Sequence, residues 1–306
     1  MLNFHKVTDR NWFDSMICFL QSKYKMISAD SLYEFYNGNT TIQNSCHITV
    51  DDGDKTFYEI IFPVLKKYKV ACSLYVSPKI CKEESNFWYQ QIEHFNFAEL
   101  KIIIAEALSI PLDSLLNYRV QSILKTMPIE QIQEIIKIYK RKNHTPKLAF
   151  QNITIANLKE IDQSGLVTIG GHTMNHPILN NETDINSKYE IEQSIFELAG
   201  ILNHEINYFA YPNGIPMLDF SAREVTLLKN MGIKLAFTTA SKNLNPSQNT
   251  MQIPRFGVSN LENLQFLKLK LLLGSSWDSL KNLQRSSEFK ERDQLKQLIF
   301  KETISM

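Results

Sequence analysis

Short apolar runs rich in β-branched and aromatic residues alternate with helical periodicity along most of the chain. The runs are NFHKV (3–7), CHITV (46–50), ACSLYV (71–76), LVTIG (166–170), NYFAY (207–211) and KLAFTT (234–239), and this composition predicts strands. Over 55–69, Phe57, Ile60, Ile61, Val64, Leu65 and Tyr68 recur at i, i+3, i+4, i+7, i+8 and i+11, the stripe of a helix laid on a sheet. Pro63 falls inside that stripe and has no N–H, so it predicts a kink or a displaced start. Two further helices carry their ends in the sequence. Over 154–164, Thr154 can cap the start and Gly165 close the end; over 221–231, Ser221 and Gly232 do the same. This alternation predicts a parallel sheet covered by helices, open or closed into a barrel.

Two regions depart from the rhythm. From about 87 to 150 the pattern is helical (FAELKIIIAEAL, IEQIQEIIKIYKRK) with no strand, which reads as an insertion. From Leu261 onward the chain reads as terminal helices with a charged end, expected to pack peripherally, with an amphipathic contact to a membrane or partner as the alternative.

Size and charge narrow the class. A chain of 306 residues is near the upper limit for one core. With 33 basic and 32 acidic residues, no global field draws the chain to nucleic acid or a membrane surface, and nucleic acid is not an expected partner. The start, MLNFHKVTDRNWFD, lacks a basic segment followed by an apolar one. No run reaches the ~18 apolar residues of a spanning helix, so a cytoplasmic location is expected. Cys18, Cys46, Cys72 and Cys81 form no CxxC pair and are expected to be reduced packing residues.

Candidate chemistry lies where strands end. HITVDDGDKTF (47–57) runs a strand into two adjacent carboxylates and a glycine. In a regular strand these side chains point to opposite faces. They converge only if the strand stops and the backbone turns, which Gly53 permits. The plainer reading is a strand-to-helix corner with Asp54 as cap. TIGGHTMNHPIL (168–179) places His172 and His176 four apart after another strand, with Pro177 closing the segment. Imidazoles at that spacing suit a divalent ion, or serve only surface and packing. Taken together, both segments follow apolar strands at the carboxyl end, where parallel α/β folds gather functional loops. Two histidines and one aspartate leave coordination positions open, the composition of a catalytic metal site, and the second aspartate is free to act as a base toward water. INYFAYPNGIP (206–216) is either a tight turn or a source of backbone N–H groups for an oxyanion. IPRFGVS (253–259) brings in Arg255 after an expected strand, as a surface cation or as a partner that orients an aspartate.

These residues resemble the polysaccharide deacetylase family, the NodB-homology carbohydrate esterases. TVDDG (49–53) is similar to the family's first motif, T-F-D-D-G, and HTMNHP (172–177) matches the second, H-[ST]-x-x-H-P. FAYPNG (209–214) resembles the third motif of the branch acting on poly-N-acetylglucosamine and surface glycans, and FHKV and FWYQQIE (87–93) are similar to that branch. The resemblance covers about residues 1–260. It implies an α/β fold, a distorted (β/α) barrel of the NodB-homology type with about seven strands. Residues 1–260 would form the catalytic domain, with the helical insertion at about 87–150 and a C-terminal helical extension, 261–306, packed on it.

The resemblance also implies roles. Asp51 would be the general base, and Asp52, His172 and His176 would hold a divalent metal, zinc by default, with cobalt, nickel or iron as other occupants. Tyr211, Pro212 and Asn213 would form the substrate and oxyanion turn, centred on the backbone at Asn213. Where the third motif carries an arginine this chain has Ala210, so Arg255 is expected to take over that catalytic function. Many relatives protonate the leaving amine with a late histidine, and none follows His204 here. The implied reaction removes an N-acetyl group from an amino sugar in a glycan or glycan precursor, releasing acetate and a free amine. The expected location adds a lipid-linked or nucleotide-linked saccharide as substrate. A catalytically weak or inactive glycan-binding protein is the alternative. A 2-His-1-carboxylate iron oxygenase fits the ligand set, but the neighbouring Asp51 suits hydrolysis better.

Overall fold

The computed structural model describes residues 1–304, without the side chains of 282–284 and 300–304. Its strands are β1 (Leu2–Phe4), β2 (Lys25–Met26), β3 (Ser45–Cys46), β4 (Ile48–Val50), β5 (Cys72–Val76), β6 (Val167–Gly171), β7 (Tyr208–Ala210), β8 (Leu235–Phe237) and β9 (Phe256–Gly257). Seven of them form one sheet in the order β8-β7-β6-β5-β4-β1-β9, and β2 pairs with β3 outside it. Every pairing in both is parallel, so each connection is a crossover that lays chain over the sheet.

The sheet curls into a half-barrel, and one segment makes the seam. Thr250 to Ile253 runs along β8, where Ala236 N–H donates to the Thr250 carbonyl and Thr238 N–H to that of Ile253. Three residues on, β9 pairs with β1. Arg255 therefore precedes a strand instead of following one, at the point where the segment passes from one edge of the sheet to the other. The two-residue strands β2, β3 and β9 are too short to leave a periodic signal. The six longer runs all contain strands, most of them trimmed, while β1 starts and β6 ends one residue beyond its run.

Period-two alternation gives the sheet two unlike faces. Leu2, Phe4, Ile48, Val50, Cys72, Leu74, Val76, Val167 and Ile169 form the outer core with Phe13, Ile17, Phe57, Leu65, Leu158 and Leu198 from the covering helices. The in-register row Asn3, Thr49, Ser73 and Thr168 turns the other way, into the lumen, with Tyr75 above it. A Cβ at Gly170 would come within 2.5 Å of the Tyr75 ring, so glycine on β6 makes room for that ring.

Local signals mostly act as read. The helix over 55–69 starts as a π-turn, Phe57–Ile61, before continuing as an α-helix, Phe62–Tyr68, with Phe62 N–H donating to the Phe57 carbonyl. Pro63 cannot donate, and its ring would press on the carbonyl four residues earlier. Thr154 accepts from Asn157 N–H and Ser221 from Arg223 N–H, while Gly165 and Gly232 take φ of +64° and +78°. The cysteines are free; Cys46, Cys72 and Cys81 are buried, but Cys18 is exposed.

Between β5 and β6, helices including Trp88–Ile92, Phe97–Leu108, Val120–Leu124 and Ile129–Lys142 build an apolar cluster of their own. Leu295 from the final helix, Ser275–Ile304, is fully buried in it, and Arg292 of that helix makes a buried pair with Asp219 at 2.6 Å. No helix among the described residues is long and apolar enough to cross a membrane.

Candidate metal centre

At the end of β4, Asp51 N–H still donates to the Phe4 carbonyl of β1. Gly53 N–H then folds back onto the Asp51 carbonyl at 2.9 Å, with Asp52 at φ +74°. This is a γ-turn of the rarer hand. A left-handed non-glycine residue costs on the order of 1–3 kcal/mol and persists only where its surroundings hold it. The turn lets neighbouring carboxylates reach different partners within one site. Asp54 opens the next turn by accepting from Thr56 N–H at 2.9 Å, so the strand-to-helix corner and the turning-in of the two carboxylates coexist.

At the end of β6, His172 N–H donates to the Val76 carbonyl. The loop then passes through two left-handed residues, Thr173 and His176. Glu190 accepts from the N–H groups of Met174 and Asn175 at 2.9 Å each, and Trp88 Nε1 donates to the His176 carbonyl. So held, His172 Nε2 and His176 Nε2 lie 3.4 and 3.5 Å from Asp52 Oδ1, and one ligand atom from each of the three residues lies within 4.8 Å of the others.

The donor set fits a cation. His172 Nδ1 lies 2.7 Å from the Ala210 carbonyl, which can only accept, so Nδ1 carries the proton and Nε2 presents its lone pair. Asp52 Oδ1 is buried and has no hydrogen-bond partner. Acceptors turned toward one another in a dry site need a positive charge between them. Tetrahedral ligands at about 2.0–2.2 Å from a zinc ion stand about 3.3–3.6 Å apart, which is the spacing of both histidines from Asp52. Burial alone would raise the Asp52 carboxyl, but His172, His5 and His176 outweigh it and hold it below the usual range. Burial lowers the His172 imidazole, yet the Asp52 and Asp51 carboxylates lift it above its ordinary value. At His176 burial prevails and pulls the ring down to about 3.

Asp51 has a separate circle of partners. Arg255 Nη1 and Nη2 donate to its two oxygens at 2.7 and 2.8 Å, and Asn3 Nδ2 donates to Oδ2 at 3.0 Å. Arg255 is fully buried and spends its other donors on the Thr238 carbonyl, Asn3 Oδ1 and Thr49 Oγ1. It is therefore no surface cation. Burial pushes the Asp51 carboxyl up, and Arg255 overcomes this and holds it below its ordinary value.

The turn after β7 repeats the geometry of the first. Gly214 N–H donates to the Pro212 carbonyl at 2.6 Å around a left-handed Asn213. Of the three residues expected there, Pro212 has no N–H and Tyr211 N–H is committed to the Phe237 carbonyl. The Tyr211 ring is stacked on Phe220 in the core, and its hydroxyl donates to Met251, so Tyr211 is a packing residue held away from the turn. Only Asn213 keeps an undonated N–H, and its side-chain Nδ2 is also buried without a partner.

Two neighbours escaped sequence reasoning. His5, one residue past β1 and half-exposed, places Nε2 3.8 Å from Asp51 Oδ2; its position two residues after the inward-facing Asn3, within the FHKV match, was the available signal. Tyr89, from the helical region, sets its ring 5.1 Å from that of His176, with its hydroxyl buried and unpartnered. Burial and the Asp52 carboxylate push that hydroxyl well above its usual value.

Comparison with known proteins gives the family and the fold. Residues 38–236 match the sequence profile of the polysaccharide deacetylase family. No curated protein matches the chain in sequence. Among solved structures, the chain is similar to the Streptococcus pyogenes deacetylase PplD (16% identity, TM-score 0.58, covering 88% of this chain and 96% of that one). It is also similar to IcaB from Ammonifex degensii (17%, 0.57, 90% and 95%) and to a de-N-acetylase from Aggregatibacter actinomycetemcomitans (17%, 0.57, 88% and 98%). At these identities the likeness is one of fold.

Proposed function

The chain belongs to the polysaccharide deacetylase family, and from that premise we propose that it hydrolyses the N-acetyl group of an amino sugar in a glycan or glycan precursor, with a divalent ion held by Asp52, His172 and His176. The observation that carries this reading is the pairing of a three-acceptor cluster with a second, separately anchored carboxylate beside it. An ion bound there, zinc by its mixed nitrogen and oxygen donors, supplies Lewis-acid polarisation of the acyl oxygen and a lowered pKa for water.

The chain's own residues do the rest. Asp51, kept ionised by Arg255, takes a proton from the water that adds to the acyl carbon. Arg255 is too deeply buried to meet a substrate; it acts through Asp51 and is a positioning residue. The free N–H of Asn213 faces the charge that builds on the acyl oxygen. As the C–N bond breaks, the amine nitrogen needs a proton, and His5, half-exposed beside Asp51, is the group placed to give it. His5 thus fills the role left open by the absence of a late histidine. Products are acetate and the free amine. An intact base network and a placed acid favour catalysis over glycan binding alone, and Asp51 beside the cluster favours hydrolysis over oxygen chemistry.

The test is acetate release from N-acetylated amino-sugar substrates by the zinc-loaded chain. Asp51→Asn is expected to lower kcat by about 10²–10⁴-fold, the usual worth of a general base, and His5→Gln to lower it less. Equal release by Asp51→Asn would remove the assigned base and the mechanism with it.

A further inference from the structure

Beside the Asn213 turn lies a cavity of about 790 Å³, walled by the end of helix Val120–Leu124, by Ile215 and Thr239, and by the final helix. Thr239 ties its wall to that turn: its N–H donates to the Gly214 carbonyl and its hydroxyl donates to the Asn213 carbonyl at 2.8 Å. Its charged lining is Arg119, Lys125, Lys281, Arg285, Glu288 and Glu291. Some of these charges are already used. Arg285 bonds Asp278 and the Thr239 carbonyl, and Glu288 is bonded to Arg292.

Lys125 and Lys281 are different. Each is half-buried, and among the described residues neither ammonium group has an ion pair or hydrogen bond. Burial lowers both; Arg292 adds to it at Lys125, and Lys270 and Arg285 at Lys281, against a smaller opposite pull from Asp219 and Glu288 at the first and from Glu262 and Asp278 at the second. Two ammonium groups without a direct partner, joined in one cleft by Arg119, favour a ligand with concentrated negative charge, which sugar hydroxyls do not provide.

We propose that this cleft binds a phosphate or diphosphate group carried by the amino-sugar substrate, placing the sugar at the Asn213 turn. The proposal rests on the deacetylase reading and names the substrate class for it: an amino sugar on a phosphorylated carrier. Nucleotide and lipid carriers share that chemistry.

The experiment compares the full chain with Lys125→Gln/Lys281→Gln. The zinc-loaded enzyme is assayed on UDP-N-acetylglucosamine, on a short-chain prenyl diphosphate of N-acetylglucosamine and on the neutral trimer of that sugar. Loss of the two ammonium groups should raise KM for the phosphorylated substrates about tenfold or more, with kcat and the KM for the trimer within about twofold of wild type. The diphosphate substrate with the higher kcat/KM in wild type identifies the carrier. Separately, inorganic pyrophosphate is titrated calorimetrically into metal-free full chain, where the double variant should bind about tenfold more weakly. Pyrophosphate that binds both proteins equally, or neither, overturns the proposal, as does a KM increase shared by the neutral trimer. If pyrophosphate distinguishes the two proteins while no substrate releases acetate, the anion site stands and the deacetylase reading falls. Should the double variant fail to fold, Arg119→Gln, an exposed change in the same cleft, carries the test with an expected KM increase of about threefold.

Discussion

The outer and inner faces of the seven-stranded sheet are made by the same residues' neighbours, yet they do opposite things. On the outer face, Leu2, Phe4, Ile48, Val50, Leu74 and Val76 are fully or almost fully buried against helices, each contributing about 1.5–3 kcal/mol by leaving water. On the inner face, Asn3, Thr49, Asp51 and Arg255 are equally buried and entirely polar. Desolvating that ion pair offsets much of its attraction, so its worth lies in position. The guanidinium carbon sits 5.6 and 5.8 Å from the centres of the Tyr75 and Phe237 rings, and its bidentate grip fixes both Asp51 oxygens. Along β1 and β4, alternation thus assigns stability to one face and chemistry to the other, while on β7 and β8 the inner face is apolar as well.

Arg255→Met should separate the faces most sharply. Removing one partner leaves Asp51 buried and uncompensated, at a cost of about 3–5 kcal/mol, read by denaturant unfolding. The same change should move the acid limb of the kcat/KM profile to higher pH, because Arg255 is what holds the Asp51 carboxyl low. An acid limb that stays in place would mean that Asp51 is not the titrating base. Leu74→Ala, its counterpart on the outer face, should cost about 2–5 kcal/mol and leave the pH profile of the folded enzyme unchanged. If it shifts that profile, the division between the faces fails.

The smallest effect concerns His47, buried beneath the lumen with its ring nitrogens 2.8 Å from the Ile27 carbonyl and 2.9 Å from Ser73 Oγ. Burial lowers its pKa to about 4, against about 6.5 in the unfolded chain. The unfolded state therefore binds the proton first, so this group's contribution is complete above pH 6.5 and is lost as pH falls toward 4. At pH 5 the loss should be about 2 kcal/mol, and His47→Gln should flatten the pH dependence of Tm over that window. A slope unchanged in the variant would show that other groups cause it.

Legibility followed distance along the chain. The helix caps at Thr154 and Ser221, the π-turn before Pro63 and the six longer strands depend on neighbours within a few residues, and each left a local mark. The candidate site was legible as segments: both histidines and both aspartates stand out at strand ends. Which aspartate joins the histidines came only with the family resemblance, and Arg255 stood as one of two options, a surface cation or an orienting partner; its place at the barrel seam left no mark.

The sequence by itself determined the periodicity, and hence which strands could hide an apolar face and where the chain had to turn. The tertiary structure alone decided that Arg255 meets Asp51 across 204 residues and Asn3 across 252, that Tyr211 spends its N–H on β8 while Asn213 keeps its own, and that His5 stands beside Asp51. The physical reason is that periodicity is set by backbone geometry over a few residues, whereas these contacts depend on parallel register and on the curl that brings the first and last strands together.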